Sequence, residues 1–576
     1  MFNRVMVANR GEIAVRVIRT CRELGIRTVA VHSDADAGAL HVRLADEAVR
    51  LPGVAPGETY LDVEAIVDAA RQRGCEAVHP GYGFLSERAD AAEAIRAASL
   101  LWVGPSPEAL RAAGDKLQAR RLARDAGVLP VPGTLEPAVS PADVDAFGGR
   151  FGYPVAIKAV AGGGGRGLRV AAGADDAPAA FEAASREALA AFGVGEVYLE
   201  RYLARPKHVE VQILSEAPGA AMWLGARECS LQRRHQKLIE ETPPARSQDL
   251  AAGIGDAAVV VANACGYVNA GTVEFLVDAD SGACYILEVN ARLQVEHCVT
   301  EAVLGLDLVA AQLRIAAGEP LGFGQDDVRP GGRLAPRGHA IECRINAEDP
   351  SRGFAPTPGL IERYREPGGP GVRVDAGFAE GDRIPDAYDS LIAKLVVWGA
   401  TREEARRRTI RALEEYEIEG VATTIPAHLR LLAHPEVVDG SYTTQTVEGG
   451  ALDGLAPAAT GPAGPTLLVE GRSARLWNPA MAGSIRAGGG DAGGGASGRA
   501  VLAPMHGTIL RLLVREGDRV APGDAVAILE AMKMETHVSA SAAGTVREVR
   551  VMPGSVVDAG EVVATIGAAG EEGERP

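Results

Sequence analysis

A chain of 576 residues is long enough for three or four folding units of about 150 residues each. Apolar residues at 47% and charged residues at 23% give a globular composition, and a net charge of −17 excludes a general nucleic-acid or acidic-membrane binder. No apolar run reaches about 18 residues, so no membrane span is expected. The first residues, Met1 to Val7, enter a strand directly and lack the form of a signal peptide. The seven cysteines are scattered and include no C-x-x-C, which excludes a disulfide framework or zinc site and points to a cytoplasmic protein. Of 59 basic residues, lysine occurs only at 116, 158, 207, 237, 394 and 533, so each position invites a reason why arginine does not serve there.

In chain order, Arg4–Ala8, Arg27–His32, Cys75–His79 and Leu100–Val103 read as buried strands, with a helix over Gly11–Leu24. This alternation predicts a doubly wound parallel α/β sheet, with the loops Ala8–Glu12 and His79–Gly83 at its carboxyl edge, where ligands bind. From about residue 115 to 330 the pattern is mixed α+β. A further αβ segment runs to about 446, with a helix expected at Arg402–Tyr416.

Residues 446–500 thin out to one hairpin candidate, Leu467–Trp477, and a glycine-rich run, Gly488–Gly495. The stretch from Ser484 to Ala500 predicts a flexible tether spanning roughly 20–25 Å. After it, Gly507–Leu529 aligns on Gly544–Ile566 without gaps, offset by 37 and identical at eight of 23 positions. Two copies of a strand–turn–strand unit predict a small pseudo-symmetric β sandwich. Glu530-Ala531-Met532-Lys533-Met534-Glu535 then falls at a hairpin tip. A lysine at a tip is ordinarily a soluble turn residue, but two exposed methionines beside it suit a recognition surface for a modifying enzyme better.

Pro154–Lys158 reads as a strand delivering a lysine to a loop containing Gly162, Gly163, Gly164 and Gly165, with a second strand after it. No helix follows directly and no Gly-Lys-Ser/Thr is present, so neither a dinucleotide fingerprint nor a Walker A loop fits. A glycine flap over phosphates does, with Lys158 and Lys116 supplying charge. The alternative, a plain hairpin loop, would spend four consecutive glycines for nothing. Pairing Thr272–Val277 with Tyr285–Asn290 through a three-residue loop, Asp280–Gly282, sets Glu274 opposite Glu288. Opposed carboxylates need a neutralising group, and a hard divalent cation shared with a nucleotide answers that need. Continued alternation places Glu288, Asn290, Arg292, Gln294 and Glu296 on one face, an active-site wall or else a solvated edge. Arg292 and Glu296 are then placed to bind and deprotonate a small anion. Gln232 to Lys237 reads as a cationic collar for anions or as a solvated face.

These motifs carry a resemblance. Ala8-Asn9-Arg10-Gly11-Glu12-Ile13-Ala14, His79 to Glu87, Gln232 to Lys237, Glu288 to His297 and Glu342 to Pro350 resemble the biotin carboxylase family of ATP-grasp enzymes. Glu530 to Glu535, preceded by Ala503 to Gly507, resembles a biotin carboxyl carrier domain. The whole is similar to the α subunit of an acyl-CoA carboxylase. The resemblance implies an N-terminal biotin carboxylase domain at 1–114, an ATP-grasp domain at 115–330 and a biotin carboxylase C-terminal domain at 331–446. A linker with a short hairpin at 447–500, a biotinyl/lipoyl-type sandwich at 501–568 and a disordered tail at 569–576 follow.

It further implies that Lys116, Lys158 and Gly162–Gly165 hold ATP phosphates, that Glu200, Arg201 and Leu203 lie at the adenine, and that His208, Gln232 and His235 line the nucleotide site. Glu274, Glu288 and Asn290 would bind Mg2+ or Mn2+. Lys237 and Arg292 would bind bicarbonate, Glu296 would be its base, and Arg344 would stabilise the enolate of biotin. Lys533 would carry biotin through an amide. The implied partners are a biotin protein ligase and a separate carboxyltransferase (β) chain, with a homodimeric core. No role is implied for Lys207 or Lys394. Cys298 and Ala161 depart from the family's usual proline and glycine, and the linker is too short for the large docking domain of longer α subunits. The competing readings are one chain of a split pyruvate carboxylase, a carrier scaffold with an inactive ATP-grasp core, and a lipoyl carrier.

Overall fold

The computed structural model describes residues 1–160, 167–246, 248–456, 466–469, 472–475, 499–503, 507–531, 534–540, 542–557 and 560–567. Short apolar runs build the first sheet from β1 (Arg4–Val7), β2 (Arg27–His32), β3 (Glu47–Arg50), β4 (Ala77–His79) and β5 (Leu101–Trp102), all parallel, in the order β3-β2-β1-β4-β5. The order reverses at β1, so the loops after β1 and β4 flank the switch point, as expected of a doubly wound sheet. Helix α1 (Gly11–Glu23) leaves the first of these loops, and Asn9 Nδ2 bonds the carbonyls of Pro80 and Tyr82 in the second, at 2.6 and 2.8 Å.

Residues beyond 150 form a three-stranded sheet, β7-β6-β8, from β6 (Val155–Ala159), β7 (Leu168–Ala171) and β8 (Val197–Arg201). Lys158 pairs with Leu168 across antiparallel β6 and β7, so the glycine segment connects two strands, as anticipated. Gly162 to Gly165 themselves lie outside the described residues.

The largest sheet has eight strands: β9 (Pro206–Ser215), β10 (Ala221–Arg233), β11 (Gln236–Thr242), β12 (Asn269–Asp278), β13 (Cys284–Asn290), β14 (His339–Asn346), β15 (Val372–Ala376) and β16 (Leu391–Gly399). Their order is β13-β12-β9-β10-β11-β14-β16-β15. Because β11 pairs with β14, Glu240 opposite Glu342, one hydrogen-bonded sheet runs across residue 330. The segments on either side of that residue form one continuous body, which lets groups from both converge.

The carrier segment shows the internal repeat as paired strands. Gly507–Leu512, Arg519–Val520 and Ala525–Ala531 recur 37 residues on as Gly544–Val549, Val556–Val557 and Val562–Gly567. Each short strand pairs with the other copy: Gly507 with Val557, and Gly544 with Val520. Two four-stranded sheets enclose an apolar core that includes Ile509, Val526, Val546 and Val563. Strands Ala525–Ala531 and Met534–Ser539 pair up to Ala531 and Met534; Lys533 and the glycine-rich tether lie outside the described residues. The hairpin expected near 470 appears as paired strands Thr466–Val469 and Arg472–Arg475. Among the described residues, no helix is long and apolar enough to cross a membrane.

A buried seam joins α1 to the rest of the core. Arg16 on α1 and Arg373 on β15 each hold Glu301, at 2.8 Å, from opposite oxygens. Glu301 belongs to helix α2 (His297–Leu304). Gly377, just past β15, lies against the start of α1, where an added Cβ would fall 2.5 Å from the Glu12 nitrogen and 2.8 Å from the Gly11 carbonyl carbon. Backbone atoms cannot swing aside, so Gly377→Ala should destabilise the protein by about 1–3 kcal/mol; a urea midpoint equal to that of the parent chain would show slack in the seam. Burial pushes Glu301 up, but the cationic neighbours Arg16 and Arg373 win and hold it at about 2, below its ordinary 4.5. A depressed carboxyl contributes its stability in full above 4.5 and loses it as the pH falls toward 2. The melting temperature should therefore fall through that window less steeply in Glu301→Gln than in the parent, and parallel slopes would assign the acid loss to other carboxylates.

Candidate active site

Strand register gathers the charges. Arg227 on β10 stands opposite Glu210 on β9, Glu210 opposite Glu274 on β12, and Glu274 opposite Glu288 on β13. One guanidinium and three carboxylates thus run in a row across four strands. Like charges at adjacent sites destabilise a sheet unless countered, and most of this row is countered. Arg227, fully buried, donates to Glu210 at 2.5 Å. Lys237 from β11 reaches Glu210 at 2.7 Å, Glu274 at 3.1 Å and Glu296 at 2.6 Å. His208 Nε2 lies 2.9 Å from Glu274. Burial pushes Glu274 up, yet Lys237 and His208 bring it well below the usual carboxylate range.

Glu288 is different. Burial and the facing Glu274 both push it up, and the half-buried Lys116 ammonium only partly offsets them. Among the described residues it makes no hydrogen bond or ion pair, and the buried Asn290 Nδ2 beside it lacks a partner as well. The unmet Glu288 carboxylate faces a second carboxylate, and the Asn290 side chain adds an amide oxygen that, among the described residues, accepts only from Arg292 at 3.2 Å. That oxygen-rich set suits a hard divalent cation such as Mg2+, so the residues present fit the metal that the sequence implied.

Glu296 sits at the junction of the loop after β13 with α2, wholly buried. Its two oxygens are divided between cations, Oε1 to Lys237 at 2.6 Å and Oε2 to Arg344 at 2.9 Å. Burial would raise its pKa, but Lys237, Arg344 and Arg227 together hold it well below the usual range, so it stands as an anion. Arg344 on β14 also bonds Glu240 on β11 through Nε at 2.6 Å. Glu240 is pushed up to about 7 by burial, against the pull of Arg344.

The structure corrects two expectations here. The turn between β12 and β13 is one residue longer than the loop Asp280–Gly282: Asp278 N donates to Ala283 O at 2.8 Å, and Gly282 takes the left-handed conformation at φ +70°. A bulge then adds Leu287 to β13, which restores the pairing of Glu274 with Glu288 and of Thr272 with Asn290. Second, the strand stops at Asn290, and residues 291–296 form a loop, because each of their polar side chains finds its own partner instead of a ladder. Arg292 Nε approaches Glu87 at 3.2 Å, its Nη2 bonds Asn290 at 3.2 Å, and Gln294 donates to Glu274 at 3.0 Å. No hydrogen bond joins Arg292 to Glu296 among the described residues; Lys237 and Arg344 occupy both Glu296 oxygens.

On the nucleotide side, Glu200 is buried and ion-paired with both Lys158 and Arg120. Lys116 follows the helix cap Asp115, and burial lowers its pKa. Leu203 is buried and Arg201 exposed. The segment Gln232–Lys237 is a tight hairpin turn rather than a uniform collar. Arg234 and His235 both have positive φ, 45° and 66°, as a two-residue turn of this kind requires. Positive φ strains non-glycine residues and is retained mainly where a site needs it. Gln232 is buried, Lys237 enters the site, Arg233 stacks on Phe354 at 4.8 Å, and Gln236 bonds Glu348 at 3.3 Å. Lys207 pairs with Glu228 at 2.8 Å and the Gly440 carbonyl at 3.0 Å.

Sequence reasoning missed Glu210, Arg227, Glu240, Arg120 and the Glu87 partner of Arg292. Glu210 had a signal, since Val209-Glu210-Val211-Gln212-Ile213 alternates as Thr272–Val277 does.

Comparisons with known proteins agree with this geometry. Residues 1–110 match the biotin carboxylase N-terminal domain, 115–323 the carbamoyl-phosphate synthase L chain ATP binding domain, 342–449 the biotin carboxylase C-terminal domain, and 499–566 the biotin-requiring enzyme family. The biotin-dependent acyl-coenzyme A carboxylase alpha3 subunit of Mycobacterium leprae is 44% identical over 98% of each chain. A pyruvate carboxylase subunit from Methanothermobacter thermautotrophicus is 48% identical over 78% of this chain and 90% of its own. The biotin carboxylase domain dimer of Hydrogenobacter thermophilus 2-oxoglutarate carboxylase, solved with MgADP, ADP and bicarbonate, superposes with a TM-score of 0.75 at 45% identity, covering 79% of this chain and 99% of that one. A biotin carboxylase core followed by a biotinyl-type sandwich places this chain in the biotin-dependent carboxylase family, as an ATP-grasp ligase that carboxylates biotin with ATP and bicarbonate and has its own biotin-carrier domain.

Proposed function

We propose that this chain is the α-type subunit of an acyl-CoA carboxylase of the acetyl- or propionyl-CoA type, loading biotin on its own carrier for a separate carboxyltransferase chain. The observation that carries this reading is coverage: the acyl-coenzyme A carboxylase relative matches across core, linker and carrier alike, over 98% of both chains. A second reading, the biotin carboxylase subunit of a split pyruvate carboxylase, rests on the core, where the Methanothermobacter pyruvate carboxylase chain reaches 48% identity. Judged on the core alone, the second reading has the better support. Supplying the native carboxyltransferase partner and labelled bicarbonate separates them: label fixed into acyl-CoA supports the first, and label fixed into pyruvate supports the second.

Within the core, Lys116, Lys158 and the segment Gly162–Gly165 would hold ATP phosphates, with Glu200 to Leu203 at the adenine and His208, Gln232 and His235 lining the nucleotide. Glu274, Glu288 and Asn290 would hold Mg2+, with Mn2+ the alternative, and the ion would supply positive charge to the transferring phosphoryl group. Lys237 and Arg292 would take bicarbonate. Lys237 now neutralises three carboxylates, so sharing it with a bound anion weakens its hold on Glu296 and raises the basicity of that carboxylate. Glu296 would then accept the bicarbonate proton while Arg344 keeps its other oxygen oriented. The same guanidinium would face charge developing on the ureido oxygen of biotin. Biotin would be joined at Lys533 by a biotin protein ligase, since an amide needs a primary amine. A homodimeric core, as in the Hydrogenobacter domain, and a cytoplasmic setting complete the proposal.

Glu296→Ala should lower bicarbonate-dependent ATP turnover by about 100-fold or more; an unchanged rate would remove its role as the base. Lys533→Arg should abolish carboxylation of the acceptor while free biotin is still carboxylated by the same chain. Acceptor carboxylation at the parent rate would end the assignment of Lys533.

A further inference from the structure

Lys394 lies in the middle of β16, wholly buried, paired across the sheet with Arg344. Its ammonium makes contacts in three directions. It donates to the main-chain carbonyl of Val295 at 3.1 Å, pairs with Glu12 of α1 at 3.1 Å, and approaches Asp375 of β15 at 3.9 Å. Val295 immediately precedes Glu296. The Val295 carbonyl and the Glu296 N–H belong to one planar peptide group, so a bond that fixes the carbonyl fixes the rotation of the plane that ends on the Glu296 Cα. The preceding carbonyl is held too: Gln294 O lies 2.7 Å from His297 Nδ1. Burial pushes His297 down to about 3, so its ring is neutral with Nδ1–H aimed at that oxygen.

A merely neutralising role would need only Glu12 and Asp375. The bond to Val295 is additional, and it spends one of three ammonium donors on the loop that carries Glu296. We propose that Lys394 is a positioning residue for Glu296, setting the peptide plane ahead of that carboxylate and tying it to α1 through Glu12. This rests on the reading of Glu296 as the base. Glu296 must meet Lys237, Arg344 and a bound bicarbonate together, and a displacement of about 1 Å at a reacting group can cost on the order of 100-fold in rate.

The test uses the full chain, with bicarbonate-dependent ATP turnover, the KM for ATP and the melting temperature measured on Lys394→Met and on the double variant Lys394→Met/Glu12→Gln. The double variant removes the carboxylate that the single one would strand. A positioning role predicts that the double variant recovers most of the melting temperature, keeps the KM for ATP within about twofold, and still turns over at least about tenfold more slowly. Recovery of turnover together with stability would overturn the proposal, leaving Lys394 as a counter-charge only. Failure of both variants to accumulate as folded protein would overturn it as well, by making the lysine a folding requirement. Loss of activity in Glu296→Ala beside full activity in Lys394→Met sinks the positioning role alone. An active Glu296→Ala sinks the base itself.

Discussion

Three carboxylates in one line across a sheet interior are the constraint on which the rest of the core depends. Glu210, Glu274 and Glu288 occupy adjacent register positions, and no arrangement of the strands that keeps their pairing can separate them. Each must be neutralised from another part of the chain. Arg227 comes from β10, Lys237 from β11 and His208 from β9 itself. Glu288 is left for a cation. The sheet thereby holds an unfavourable charge arrangement at Glu288, of the kind that a bound divalent cation would relieve.

The same logic accounts for the continuity of the large sheet across residue 330. A carboxylate that stays an anion in a low-dielectric interior needs cations from both sides. Lys237 and Arg344 lie on neighbouring strands from segments that a linear reading separates, and only the pairing of β11 with β14 brings them onto the two oxygens of Glu296. Glu240 then orients Arg344 from behind. Its raised pKa shows the cost of a third carboxylate there, and the facing Glu342, with both oxygens unpartnered and its own pKa pushed well up by burial and by Glu240, marks where the interior prefers a neutral acid.

Much of this was legible in the residues. Strand–helix alternation predicted the parallel sheet because its period is local, and the 37-residue repeat predicted the paired sandwich because symmetry is a sequence property. The opposition of Glu274 and Glu288 was found by counting from a turn, although the real turn is longer and a bulge at Leu287 restores the count. What stayed hidden depends on non-local contacts. Nothing in the sequence shows that β9 lies between β10 and β12, so Glu210 and Arg227 could not be joined to the row. Alternation from 288 to 296 suggested one long strand, yet beyond Asn290 the side chains of Arg292, Gln294 and Glu296 find partners in Glu87, Glu274, Lys237 and Arg344, which frees the backbone to leave the sheet.

The scarcity of lysine now has a physical reading at the buried positions. Arginine spreads its donors around a planar fork, so Arg227 reaches Glu210, Gln212, Thr272 and Thr300 around its rim. Lys237 instead meets three carboxylates, from two strands and the loop before α2, and Lys394 meets a carbonyl and two carboxylates from a loop, a helix and a strand. Lys207 meets Glu228, a carbonyl at Gly440 and the ring of Tyr442 at 5.1 Å. A tetrahedral ammonium serves such a set from one nitrogen, and a buried acceptor left unmet costs about 1–3 kcal/mol. At Lys207, Lys237 and Lys394 the partners converge on a single nitrogen, where the wider guanidinium would have to present its rim instead.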